Sequence, residues 1–178
     1  MRPARQLMVV TCAVAAIVVS GCGGSDADPG SAGATPGGDD TARIVRHAMG
    51  STEITGKPRR VVVLDTGELD SVLALGITPV GAVRTDATSG PQPYLADRVQ
   101  DVTMVGTNNQ PNLEAIAALR PDLILSSKLR HEALYGKFSG IAPTVFAEKV
   151  GVTWKENFLL AGDALGKREE ADRILADY

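Results

Sequence analysis

The segment Arg60-Val61-Val62-Val63-Leu64 constrains this chain more than any other, because after its arginine it is apolar without interruption. A strand with one wet face alternates apolar and polar residues. An unbroken β-branched run therefore marks a strand covered on both faces, as in a parallel sheet. A helical pattern follows, with Leu69, Val72 and Leu73 in register, Asp65 placed as N-cap, Glu68 as its N3 partner and Gly76 as the stop. The cycle then repeats. Residues 79–83, 102–105, 122–125 and 144–146 read as strands. Leu113, Ile116 and Ala117 make one helix face, and Ala133, Leu134 and Phe138 another. A weak strand at 44–47 pairs locally with residues around Ile54. Later, Phe158, Ala161 and Leu165 fall in register on a helix from about Thr153, and a further helical pattern runs from near Lys167 to Tyr178 with no stop signal. The alternation predicts an α/β, Rossmann-like lobe with a mostly parallel sheet.

Upstream of this lobe the pattern changes. Arg2 and Arg5 precede an apolar stretch over 7–19, and small residues lead to Cys22 in Val19-Ser20-Gly21-Cys22. The run looks like a bacterial lipobox, in which the cysteine takes a diacylglycerol and becomes the new N-terminus. The apolar stretch is shorter than the roughly 20 residues needed to span a bilayer. Residues 1–21 are thus expected to be a lipoprotein signal peptide, and Cys22 the lipidated residue. Residues 22–42, rich in Gly, Ser, Ala, Asp and Pro, read as a flexible tether. The expected location is the extracytoplasmic face of the cell membrane.

Several functions are disfavoured by composition. Formal net charge is -3 and no block of Lys and Arg offers a phosphate footprint, so nucleic acid is not an expected partner. The two cysteines, Cys12 and Cys22, fall in the signal and at its end, which leaves the lobe no thiol for a metal or a nucleophile. After the first core strand comes Asp65-Thr66-Gly67-Glu68, whose carboxylates oppose a phosphate loop. No G-x-S-x-G elbow is present, and His47 and His131 are distant in sequence and expected at the surface. Neither an enzyme site nor a resident metal site is expected, although a membrane-anchored α/β enzyme with an unrecognised site is an alternative.

What remains is a rim of polar residues where strands end, the place where open α/β sheets bind ligands. Thr66 follows the first core strand, and Arg84 follows the second and begins a long loop that carries Tyr94. Thr107, Asn108 and Asn109 follow the third, and Ser126, Ser127, Lys128 and Arg130 the fourth. Arg84, Lys128 and Arg130 would make the rim positive on an acidic chain, which suits an anionic or oxygen-rich small ligand.

Two longer stretches carry a family likeness. Pro58-Arg59-Arg60-Val61-Val62-Val63-Leu64 continues through Leu73-Ala74-Leu75-Gly76-Ile77-Thr78-Pro79-Val80-Gly81. The second stretch is Pro111-Asn112-Leu113-Glu114-Ala115-Ile116-Ala117-Ala118-Leu119-Arg120-Pro121-Asp122-Leu123-Ile124-Leu125. Together they resemble the substrate-binding lipoproteins of ABC importers for ferric siderophores, haem and cobalamin. The resemblance implies two α/β lobes joined by one long helix, with ligand in the cleft between them. On that footing 43–150 is the first lobe and 151–178 the start of the inter-lobe helical segment. The second lobe is missing, and the natural protein is expected to continue. The resemblance makes Glu114 the residue that docks on permease arginines and places Arg84 in the cleft, where its planar fork suits chelate oxygens. Tyr94 would stack on a chelate face, or ligate iron were the cargo haem. The implied protein is a monomer that captures a ferric siderophore, with the chelator filling the metal's coordination and no chemical step. Haem or cobalamin as cargo, and a truncated non-functional lobe, are the other readings.

Overall fold

Five short strands form one sheet because each carries residues that must leave water on both sides. The computed structural model describes residues 41–86 and 92–178. An antiparallel hairpin, β1 (Ala42–His47) and β2 (Gly50–Thr55), comes first. Strands β3 (Val61–Val63), β4 (Gly81–Arg84), β5 (Thr103–Thr107), β6 (Leu123–Ser127) and β7 (Thr144–Ala147) follow. All neighbours among the last five are parallel, in the order β5-β4-β3-β6-β7. The helices are α1 (Thr66–Ala74), α2 (Leu113–Ala118), α3 (Lys128–His131), α4 (Tyr135–Ser139), α5 (Trp154–Leu165) and α6 (Arg168–Asp177), with a 3-10 helix at Pro93–Arg98. The expected signal peptide, Cys22 and nearly all of the expected tether lie outside the described residues, as do 87–91 of the long loop.

The pleat divides the apolar run between two cores. Val61 and Val63 pack with Leu69, Val72 and Leu73 of α1 and Phe158 and Ala161 of α5. Val62 and Leu64 pack with Ile116 of α2, Phe138 of α4 and Phe146 of β7. This is why an unbroken run is needed: both faces of β3 are dry, and residues 61–64 are fully buried. A Cβ at Gly81 would lie 2.5 Å from Leu119 Cδ1, so α2 reaches its seat because position 81 has no side chain.

The hairpin covers the exposed edge of β7, an edge that would otherwise invite pairing with another chain. His47 is the rivet. Its Nδ1 accepts from the backbone N–H groups of Met49 and Phe146, each at 3.3 Å, which places the ring proton on Nε2. Nε2–H donates to Thr52 Oγ1 at 2.9 Å, and that hydroxyl donates to the Thr144 carbonyl at 2.8 Å. At the other end of the lobe, the Arg43 guanidinium caps α5 by donating to the carbonyls of Asp163 and Ala164, and ties in Gly56. The α5 helix ends at Gly166 in the left-handed region (φ 68°), as an αL cap requires.

Several expectations shift. Strand β4 begins at 81 rather than 79, and β5 and β6 each reach two residues further than their patterns suggested. Asp65 does cap α1, accepting from the Gly67 N–H at 3.3 Å. Glu68 makes no side-chain hydrogen bond in return, since it is buried rather than turned back to the cap. The histidines are not surface residues: His47 is half-buried and His131 is 2% exposed.

Burial lowers the pKa of the His47 imidazole below its ordinary 6.5. The unfolded chain then takes up more protons than the folded one as pH falls below about 6.5, so acid costs stability. In urea unfolding between pH 7.5 and 5, the stability of wild type relative to His47→Gln should fall as acid is added. Equal pH slopes would show that this imidazole does not titrate with unfolding.

Candidate functional site

The chain leaves β3 first towards β4 and β5, then returns to lay β6 on the other side of β3. The strand order therefore reverses between β3 and β6. Open parallel sheets hold ligands above such a reversal, outside the carboxyl ends of the strands. Here the two ends that meet are Asp65-Thr66 and Ser127-Lys128-Leu129-Arg130.

At that point Arg130 Nε donates to Asp65 Oδ2, an ion pair between a buried carboxylate and a guanidinium whose side chain is 30% exposed. Thr66 opens α1 half-buried, its hydroxyl 3.5 Å from Asp65 Oδ1. On the β4–β5 side, Arg84 ends β4 opposite Thr107, and its carbonyl accepts from the Asn108 N–H at 2.9 Å. Thr107 Oγ1 accepts from the Gln110 N–H at 3.2 Å, closing a tight turn. Asn109 is exposed and donates to Asp86 Oδ2 at 2.5 Å.

The two sides are riveted by His131. Its Nε2–H donates to the Asn108 carbonyl at 2.7 Å, so Nδ1 accepts from the Ser126 hydroxyl, also at 2.7 Å. Phe138 meets the ring edge-on at 5.8 Å between centroids. Burial lowers the His131 pKa, against the opposing pull of the Asn108 carbonyl and Asp65, and the neutral ring is the form this bonding needs. A histidine in the first turn after a strand that ends in two serines was the available sequence signal.

Thr66 and Arg130 thus meet through Asp65, and Arg84, Thr107, Asn108 and Asn109 cluster on β4 and β5. Lys128 lies towards β7, its Nζ 3.5 Å from Glu148 Oε1. Tyr94 is 69% exposed on the 3-10 helix and donates to Asp70 of α1, 3.0 Å from each oxygen. Three predicted rim residues turn inward: Ser127 is fully buried, Ser126 is 1% exposed and Asn108 is 6% exposed. Among the described residues, Ser127 Oγ and Asn108 Oδ1 have no hydrogen-bond partner. The expected positive rim is also largely balanced, because Arg130 and Lys128 each face a carboxylate and Asp86 sits beside Asn109. Charge alone at the level of sequence could not reveal those pairings.

Glu114 is exposed in the first turn of α2, whose N-cap Asn112 accepts from the Ala115 N–H at 3.0 Å. Only residues 108–113 separate it from the end of β5, so it lies at the same end of the sheet as the rim. Trp154 opens α5 at 43% exposure and packs edge-on against Tyr178, with centroids 5.1 Å apart. Lys155 Nζ lies 5.4 Å and 5.1 Å from the two ring centroids. Trp154 and Tyr178 border an apolar cleft of about 330 Å³ between α1, α5 and α6.

Glu68 is a group whose importance the sequence hid. Burial first, and then the negative Asp65, push its carboxyl up to about 8, with Arg130 opposing. In the unfolded chain it ionises near 4.5, so between about 4.5 and 8 only the folded state keeps the proton. Stability from this group is full below 4.5 and is lost as pH rises through 8. Chemical unfolding from pH 5 to 9 should show the stability of wild type relative to Glu68→Gln falling as pH rises. Parallel curves would contradict a protonated Glu68.

Comparison with known proteins adds the lineage. A family model described as periplasmic binding protein matches residues 61–178. The Bacillus subtilis protein named "Probable siderophore-binding lipoprotein YfiY" is 39% identical over 166 residues, covering 93% of this chain and 50% of that protein. The Fe(3+)-citrate-binding protein YfmC of the same organism is 38% identical over 168 residues, covering 93% and 52%. The crystal structure of Staphylococcus aureus SirA complexed with staphyloferrin B superposes with a TM-score of 0.73 and 44% identity, covering 76% of this chain and 46% of that one. The chain spans about half the length of the curated relatives it matches.

Proposed function

The chain belongs to the periplasmic binding protein family, and from that premise we propose that it captures a ferric siderophore outside the cytoplasm and delivers it to the permease of an ABC importer. The observation that carries this reading is the set of donors above the β3/β6 reversal. Thr66, Arg84, Thr107, Asn109, Lys128 and Arg130 all lie at the carboxyl edge of one parallel sheet. Guanidinium, ammonium, hydroxyl and amide groups there complement the oxygen-rich surface of an iron chelate. The relatives named above are binding proteins, and no chemical step is proposed. Iron is cargo in this reading, coordinated by its chelator. Cys22 would carry the lipid that holds the receptor at the membrane, and the segment after it would act as tether. The opposite wall of the cleft would come from the part of the relatives that this chain does not match.

Haem as cargo finds less support, because the Tyr94 hydroxyl is engaged by Asp70. Glu114 fits the docking role by position: it is exposed, close to the rim, and separate from the donors that would hold ligand.

Fluorescence of the single tryptophan tests the reading, with ferric citrate, a ferric trihydroxamate, a ferric catecholate, haem and cobalamin as probes. Saturable quenching by a ferric siderophore is expected, and quenching by none of the five would overturn the receptor assignment. Glu114→Ala should lower permease-dependent uptake about tenfold, the loss of one strong charged pair of roughly 1.4 kcal/mol. Ligand affinity should stay unchanged. Uptake equal to wild type would remove Glu114 from the docking surface.

A further inference from the structure

We propose that Asp65 is a positioning residue that holds the Arg130 guanidinium ready for an anionic oxygen of the ligand, an inference that rests on the receptor reading above. Asp65 is 2% exposed and fixed from several directions. Its Oδ1 accepts from the Gly67 N–H at 3.3 Å and lies 3.5 Å from the Thr66 hydroxyl, while Oδ2 takes Arg130 Nε. The residue before it, Leu64, is bonded through its N–H to the Leu125 carbonyl at 2.9 Å. The carboxylate is therefore part of the sheet end and cannot follow a mobile side chain.

Arg130 is held from behind as well. The next residue, His131, ties α3 to Ser126 and Asn108. With Nε committed to Asp65, the two terminal amino groups of Arg130 make no hydrogen bond among the described residues, and the side chain remains partly exposed. Those two groups form one edge of the guanidinium fork, which can bind both oxygens of a carboxylate or two neighbouring chelate oxygens. A long arginine left loose would have to be ordered by the ligand. Anchored at Nε, it has lost that freedom beforehand, and preorganisation of this kind shows up as affinity. The neighbouring carboxyl, Glu68, keeps its proton near neutrality and adds no second negative charge beside the pair.

Asp65→Asn separates this role from helix capping, because asparagine caps as well as aspartate does. Affinity for ferric citrate, an anionic chelate, should fall about tenfold in Asp65→Asn while the thermal midpoint moves by only a few degrees. Affinity for a ferric trihydroxamate without negative charge should change far less. In an Arg130→Ala background, Asp65→Asn should cost no further affinity. In the wild-type protein, NMR should show an Arg130 Nε–H protected from exchange, a readout independent of how any variant folds. Unchanged ferric citrate affinity in Asp65→Asn, losses that add fully with Arg130→Ala, or an unprotected Nε–H would overturn the inference and leave the receptor reading intact. Wild type that binds no chelate would overturn both, and wild type that binds the uncharged chelate alone would overturn this inference.

Discussion

Everything in this lobe hangs on the dry central strand. Residues 61–64 touch no water, and their side chains alternate between the two cores. Such a strand can exist only if helices cover both faces, and parallel connections supply them. One consequence reaches the functional end. With β3 in the middle, β4 and β5 must be laid on one side and β6 and β7 on the other, so the order reverses at β3/β6. The crevice exists because the apolar run is central.

The rim is built by tying loops to one another across that reversal. Asp65 joins the β3 end to α3, His131 joins α3 to the β5 end, and the Arg84 carbonyl joins β4 to β5. Each tie uses a group that is either buried or backbone, and none of the ties consumes the terminal groups of Arg130. Loops arranged in this way are rigid without long secondary structure. In the proposed receptor such rigidity would help binding, since every side chain already ordered is one the ligand need not order.

The architecture was legible in the sequence, and its edges were less so. The β-branched run at 61–64 and the helical spacing of Leu69, Val72 and Leu73 named a covered parallel strand and its crossover helix, because burial on both faces leaves no other pattern. The hairpin at 44–54 was visible for the same reason of local pairing. Strand ends drifted by two residues, to Ser127 and Thr107, where polar residues continue the ladder. His131 and Glu68 were misplaced on a more basic ground. A titratable residue reads as exposed until its surroundings are known, and the Asn108 carbonyl that holds His131 and the Arg130 guanidinium that acts on Glu68 both come from distant segments. Spacing along the chain carries no trace of such contacts.

The charge of the rim shows what that loss of information costs. Counting Arg84, Lys128 and Arg130 from sequence gives a basic patch, whereas the folded rim sets Asp65 against Arg130 and Glu148 against Lys128. A fully unpaired basic rim would attract any anion and would be screened by ordinary salt. Pairing lowers that indiscriminate attraction and leaves directional donors, so the proposed ligand would have to match their geometry as well as their sign. The Asp65–Arg130 pair is the more consequential of the two because its carboxylate is buried. Buried charge is screened less than exposed charge, which keeps the guanidinium fixed at ionic strengths where the exposed Lys128–Glu148 contact contributes little.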